Sequence, residues 1–161
     1  SHNGYDFMDD PMFHRRRVVR LPDDIYVIED RVTGICREDH DIRLYYNFAF
    51  GHLDGENGKF DYTSQKGRGY TMTVQANKKL DFEILEGSEN PIGGWISYGY
   101  AWRKPIPQLI AKHSGKAPIH FITVLAPAGT RAEAAINGNA AMVTLAGGKV
   151  LTLTENAVEL R

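Results

Sequence analysis

Apolar residues recur at every second position through much of this chain, and that spacing restricts it to strands. In an extended backbone successive side chains point to opposite faces, so alternation makes one face apolar and leaves the other polar. Ile42, Leu44, Tyr46, Phe48 and Phe50 alternate with Arg43, Tyr45, Asn47 and Ala49. Met72, Val74 and Ala76 alternate with Thr71, Thr73 and Gln75, and Leu80, Phe82 and Ile84 with Asp81 and Glu83. Leu151 and Leu153 repeat the pattern near the end. Two runs, Ile25 to Ile28 and Ile119 to Ala126, are apolar on both faces and read as central strands. Pro118 and Pro127 bracket the second run.

Turn residues separate these runs at short intervals. They are Leu21-Pro22-Asp23-Asp24, the loop Asp54-Gly55-Glu56-Asn57-Gly58, Glu86 to Pro91, and Ala146-Gly147-Gly148-Lys149. No stretch has sustained helical periodicity. Thr130 to Ala135 has the composition for one helical turn, confined by Gly129 and Asn137-Gly138. The expected fold is all-β, an antiparallel β-sandwich of many short strands, with residues 1–161 as a single domain. A chain of this length buries roughly two-thirds of its unfolded surface, so it needs no metal or disulfide staple.

The net charge of −1, with acids and bases mixed along the chain, argues against a nucleic-acid binder, which carries a strong basic excess. The lone Cys36 excludes an internal disulfide and any zinc site built on cysteine pairs. It has no activating motif around it and reads as an ordinary thiol. No apolar run approaches the roughly 20 residues of a membrane span. No cofactor or metal is expected. His52, Asp54, Glu56 and Asn57 share a loop, but they lack the EF-hand pattern and the ligand count that calcium requires.

Two segments carry recognition chemistry. The first is His14-Arg15-Arg16-Arg17, where alternation places His14 and Arg16 on one face and Arg15 and Arg17 on the other. Arg15 and Arg16 are candidate contacts to an acidic chain, because a guanidinium fork binds planar anions bidentately. The competing expectation is ion pairing with acids on neighbouring strands. The second runs from Trp95 to Trp102. A single strand there would put Ile96, Tyr98, Tyr100 and Trp102 on one side, and Tyr98, Tyr100 and Trp102 are candidate sugar-stacking residues. The competing expectation is a packed aromatic cover. His120, inside an apolar run, reads as a satisfied core histidine. His2 and Tyr5 have acid/base chemistry but no identifiable partner.

The order of several segments resembles a known family. His2-Asn3-Gly4-Tyr5 precedes His14-Arg15-Arg16, then Tyr26 to Val32. His40-Asp41-Ile42 leads into Leu44 to Phe48. Gly94-Trp95-Ile96-Ser97, Lys104-Pro105-Ile106-Pro107 and Ile122 to Pro127 follow. The series resembles the C-terminal β-sandwich of the heparinase II/III-like polysaccharide lyases. That resemblance implies a parent with an N-terminal helical domain, absent here, and β-elimination of acidic, uronate-containing polysaccharides. It also implies a periplasmic or secreted parent. Most catalytic residues of such lyases lie on the helical domain. The family's closely spaced histidine strand has no counterpart, since histidines 2, 14, 40, 52, 113 and 120 are never two or four apart. No catalytic or metal residue is therefore carried over. The expected role is to support the helical domain and line the glycan cleft. A non-catalytic carbohydrate-binding module and a purely structural or oligomerisation domain are the alternatives.

Overall fold

The computed structural model describes residues 9–161 in full and residues 2–5 by their backbone. The side chains of His2 and Tyr5 lie outside the described residues. Strands β1 (His2–Tyr5), β2 (Met12–Arg20) and β3 (Tyr26–Gly34) come first, followed by β4 (His40–Asn47), β5 (Gly51–Glu56), β6 (Lys59–Ser64), β7 (Gly69–Ala76) and β8 (Asp81–Glu86). Short strands β9 (Ser88–Glu89), β10 (Ile92–Gly93), β11 (Trp95–Gly99) and β12 (Trp102–Pro105) lead to the long strands β13 (Pro107–Gly115) and β14 (Ile119–Pro127). The chain closes with β15 (Ala132–Asn137), β16 (Ala140–Leu145), β17 (Val150–Leu153) and β18 (Val158–Leu160).

These strands build three layers. The middle layer is a seven-stranded sheet ordered β1-β2-β3-β14-β7-β6-β5. One face is covered by the three-stranded sheet β4-β13-β8, the other by the meander β15-β16-β17-β18. The all-β sandwich architecture is thus as expected, with a second packed face added to it.

This arrangement explains why β14 is apolar on both sides. Phe121 and Ile119 face the first core with Leu109, Ala111, Phe60 and Met72. Ile122 and Val124 face the second core with Val27, Val143, Leu151 and Leu153. Such a strand must be central, and it lies between β3 and β7.

Three local expectations need correction. Thr130 to Ala135 makes no helical turn. β15 starts at Ala132 and pairs with β16, burying Ala134 and leaving Glu133 and Ala135 exposed. Packing of these small residues against the central sheet outweighs alanine's helical propensity. The alternation from Ile42 to Phe50 is not one strand either. β4 stops at Asn47, and Phe48 just beyond it donates its N–H to the Pro107 carbonyl and keeps its ring on the first core. Its ring meets Tyr62 with centroids 4.9 Å apart. Finally, Asp54 to Gly58 is mostly strand. Only Asn57 and Gly58 form the turn, with φ of 53° and 80°, the pairing that suits a two-residue hairpin.

Gly58 is required twice over. Its φ is positive, and a Cβ there would sit 2.5 Å from the Val74 carbonyl oxygen. That oxygen is backbone and cannot swing aside. Gly58→Ala is expected to lower stability by at least about 1 kcal/mol, read as a reduced urea midpoint with an unchanged m-value.

Candidate functional site

The basic segment lies on β2, and the register decides what it does. Arg16 stands opposite Asp30, Arg17 opposite Glu29 and Arg15 opposite Arg31. Glu29 and Asp30 are consecutive, so they point to opposite faces of the sheet. Both faces are covered, and the two acids are only 1% and 0% exposed. Burying carboxylates this deeply requires compensation by hydrogen-bonded cations.

Asp30 is bound by Arg16 through a two-pronged contact, Nε to Oδ1 at 2.7 Å and Nη2 to Oδ2 at 3.0 Å. His14 Nε2 lies 2.6 Å from the same Oδ1. The Arg16 fork is therefore engaged within the chain, although its side chain remains 41% exposed. Beneath it the Tyr46 hydroxyl meets Thr123 Oγ1 at 2.7 Å, and burial pushes that phenol up to about 12.

Glu29 gathers partners on the opposite face. Arg17 Nε donates to Oε2 at 2.5 Å, Arg31 donates to Oε1 from Nε at 3.0 Å and Nη2 at 2.9 Å, and His120 Nε2 donates to Oε1 at 2.9 Å. Burial alone would raise this carboxyl. The donors His120, Arg17 and Arg31 outweigh burial and hold it at about 2.

The same arginines reach the C-terminal meander. Arg17 donates to the Thr154 carbonyl, Arg15 Nη1 to the Glu155 carbonyl at 3.1 Å, and Arg31 Nη2 to the Asn139 carbonyl at 2.6 Å. Arg15 and Arg16 thus point to opposite faces, as alternation requires. Arg15 helps dock the third layer.

The aromatic stretch differs from its expected geometry. It is a two-stranded ribbon, β11 with β12, pairing Ile96 with Lys104 and Gly99 with Trp102. Tyr100 and Ala101 form its tip, and Ala101 adopts a φ of 55°. The single row of Ile96, Tyr98, Tyr100 and Trp102 is therefore broken by a turn. Folding back still brings Tyr98 and Trp102 together, with ring centroids 5.3 Å apart and planes inclined by 32°.

The ribbon is exposed. Tyr98 is 73% exposed, Tyr100 fully so and Trp102 37%. Lys104 Nζ lies 5.5 Å from the Trp102 ring centroid. At the base, Trp95 anchors the ribbon by donating Nε1–H to the Ser88 carbonyl at 2.9 Å. Arg103 covers the Trp95 ring at 4.1 Å and pairs with Glu89. The Ser97 hydroxyl donates to the Trp102 carbonyl at 2.6 Å, tying the strands near the tip. The result is a braced stalk carrying aromatic faces beside a cation. Flat, solvent-facing rings of this kind stack on the apolar C–H faces of sugars. Among the described residues, no hydrogen bond or ring contact joins Arg15 or Arg16 to Tyr98, Tyr100 or Trp102.

Sequence reasoning did not find the grouping of Asp10, Cys36 and His40, whose ligand atoms lie within 4.8 Å of one another. Asp10 is already occupied. It accepts the Arg37 N–H at 2.9 Å, the Glu38 N–H at 3.0 Å and His40 Nε2 at 2.8 Å. The Glu38 N–H, His40 and the Arg37 N–H hold its carboxyl at about 2. This set anchors the loop before β4. No spacing signal links position 10 to positions 36 and 40. By contrast, the Glu29–Asp30 pair inside an apolar strand was a readable sign of buried cations opposite.

No protein-family model matches the sequence, and no curated protein matches it significantly. Solved structures do match. A heparinase III gene product with methylated lysines superposes with a TM-score of 0.69 at 18% identity, covering 91% of this chain and 23% of that one. A heparan sulfate lyase mutant from Pedobacter heparinus gives 0.65 at 15% identity, covering 88% of this chain and 23% of the lyase. Another heparinase III structure gives 0.63 at 15% identity over 93% of this chain. This chain spans under a quarter of the length of those proteins. Its fold is that of a heparinase-like β-sandwich domain.

Proposed function

We propose that this chain is the C-terminal β-sandwich of a periplasmic or secreted heparinase-type lyase of acidic polysaccharides. In this reading it is non-catalytic, supports the helical domain that precedes it in the parent, and contacts the glycan through the β11–β12 ribbon. The observation that carries the reading is the exposure of Tyr98, Tyr100 and Trp102 on a braced stalk beside Lys104. Exposed aromatics supply area for ring stacking, and the ammonium supplies a counter-charge for uronate or sulfate groups. The likeness in fold to heparan sulfate lyases supports the substrate class.

The test is calorimetric titration of this chain with uronate-containing oligosaccharides, sulfated and unsulfated. Saturable binding is expected, weakened about tenfold, or ~1.4 kcal/mol, by Trp102→Ala. The melting temperature should stay unchanged, because the ribbon tip is outside both cores. Absence of binding across the panel would sink the glycan-contact reading and favour a structural or oligomerisation domain. Binding by the isolated chain as tight as that of the parent would favour a self-sufficient carbohydrate-binding module.

A further inference from the structure

A second concave site lies away from the ribbon, where β2, β3 and β14 meet the loops of the C-terminal meander. It is a cleft of about 380 Å³ whose lining includes Arg15, Arg31, Asn77, His120, Asn139 and Glu155. That volume falls within the roughly 300–1,000 Å³ of small-ligand pockets. Two polar atoms of its lining residues, Arg15 Nη2 and His120 Nδ1, are buried and have no hydrogen-bond partner among the described residues. His120 is only 5% exposed. Buried polar groups are nearly always satisfied by protein or by ordered water, so two orphans on residues lining one cleft call for a partner from outside the chain.

The chemistry of the two atoms defines that ligand. Arg15 Nη2 can only donate, and it carries positive charge. His120 Nε2 faces Glu29, a carboxylate held ionised by its donors, so the ring proton sits on Nε2. In the neutral ring this makes Nδ1 an acceptor. One orphan therefore seeks an anionic oxygen and the other seeks a hydroxyl. The surrounding charge agrees. On this face of β2 and β3, Arg15, Arg17 and Arg31 are balanced by the single carboxylate of Glu29. The Glu155 side chain is exposed and offers the site its carbonyl, already taken by Arg15 Nη1.

We propose that this cleft binds a small hydroxy acid, its carboxylate on Arg15 Nη2 and a hydroxyl donating to His120 Nδ1. The site is independent of the ribbon, and either can fail alone. It is also coupled to the third layer, because Arg15 reaches both the ligand and the Glu155 carbonyl.

D-glucuronate is the probe, titrated into the isotope-labelled chain and followed at the His120 imidazole resonances. Glucose, which has hydroxyls without the acid, and acetate, which has the acid without the hydroxyls, are the comparators. A saturable glucuronate shift at His120 is expected, at least tenfold stronger than with either comparator. It should be reduced at least tenfold in Arg15→Met and unchanged in Trp102→Ala. Arg15→Lys, which keeps the charge but loses the fork, should weaken it too, and it serves if Arg15→Met is poorly folded. No shift at His120, an equal shift with glucose or acetate, or binding that survives both Arg15 substitutions would overturn the proposal.

Discussion

Replacing Glu29 with alanine should cost about 3–5 kcal/mol, the penalty for leaving buried cations without their counter-ion. Arg17, Arg31 and His120 all donate to this carboxylate, and its side chain is sealed from solvent on the covered face of β3. Urea denaturation of Glu29→Ala against the parent chain reads the loss directly. Glu29→Gln should fall between the two, since an amide oxygen still accepts but carries no charge. The pH profile gives a second reading. The carboxyl sits at about 2 in the folded chain against an ordinary 4.5, so folding favours the ionised form. Its stabilisation, roughly 3 kcal/mol for a shift of this size, is complete above pH 4.5 and lost as the pH falls towards 2. In Glu29→Gln that part of the acid limb should flatten. An acid limb identical in both proteins would show that Glu29 is not held ionised.

The second large effect tests the three-layer arrangement. Phe121→Ala should cost about 3–5 kcal/mol and Ile122→Ala about 2–5 kcal/mol. These residues are neighbours on β14, each fully buried, and they face different cores. In a two-layer sandwich one of two adjacent residues points to solvent, and its truncation is nearly neutral. Comparable losses for both, by chemical denaturation, are the signature of a sheet covered on each side. A near-neutral Ile122→Ala would mean that the C-terminal meander does not pack where the structure places it.

Strand content and the central position of β14 were legible in the sequence because both follow from side-chain alternation and from its absence. A run such as Ile119 to Ala126 has no face to give to water. Which layer covers each face was not legible. Val27, Ile122 and Val124 look alike whether they meet β4-β13-β8 or β15-β16-β17-β18, and only tertiary packing distinguishes the two. The helical reading of Thr130 to Ala135 failed for a related reason. Ala132, Ala134 and Ile136 hold a two-residue period, but alanines are small enough to satisfy a helical pattern equally well.

The aromatic stretch was found as a patch but misread as a row. Ala101 in a left-handed conformation carries no sequence signal, whereas Asn57-Gly58 announces its turn. The basic segment was legible as a charge cluster. Its use was not, because pairing Arg16 with Asp30 and Arg17 with Glu29 depends on the register of β2 against β3. The cleft beside His120 was beyond sequence reasoning. It needs residues from β2, β3, β14 and two loops of the meander to converge.

The covered central sheet also sets the order in which this chain can be completed during synthesis. β3 pairs with β14, so Val32 must wait for Ile119. At translation rates of roughly 5–20 residues per second, the intervening 85 or so residues take on the order of 4–17 s to appear. Through that interval the β2–β3 hairpin can form locally, but His120 has not yet been made and Glu29 lacks one of its partners. The apolar side carrying Val27, Ile122 and Val124 waits longer still, until the meander between Ala132 and Leu153 has been synthesised. Among the described residues that meander pairs only with itself and gives no strand to the other sheets. It therefore acts as a cap added after the sheet it covers, and a chain cut short before residue 132 would expose that apolar face.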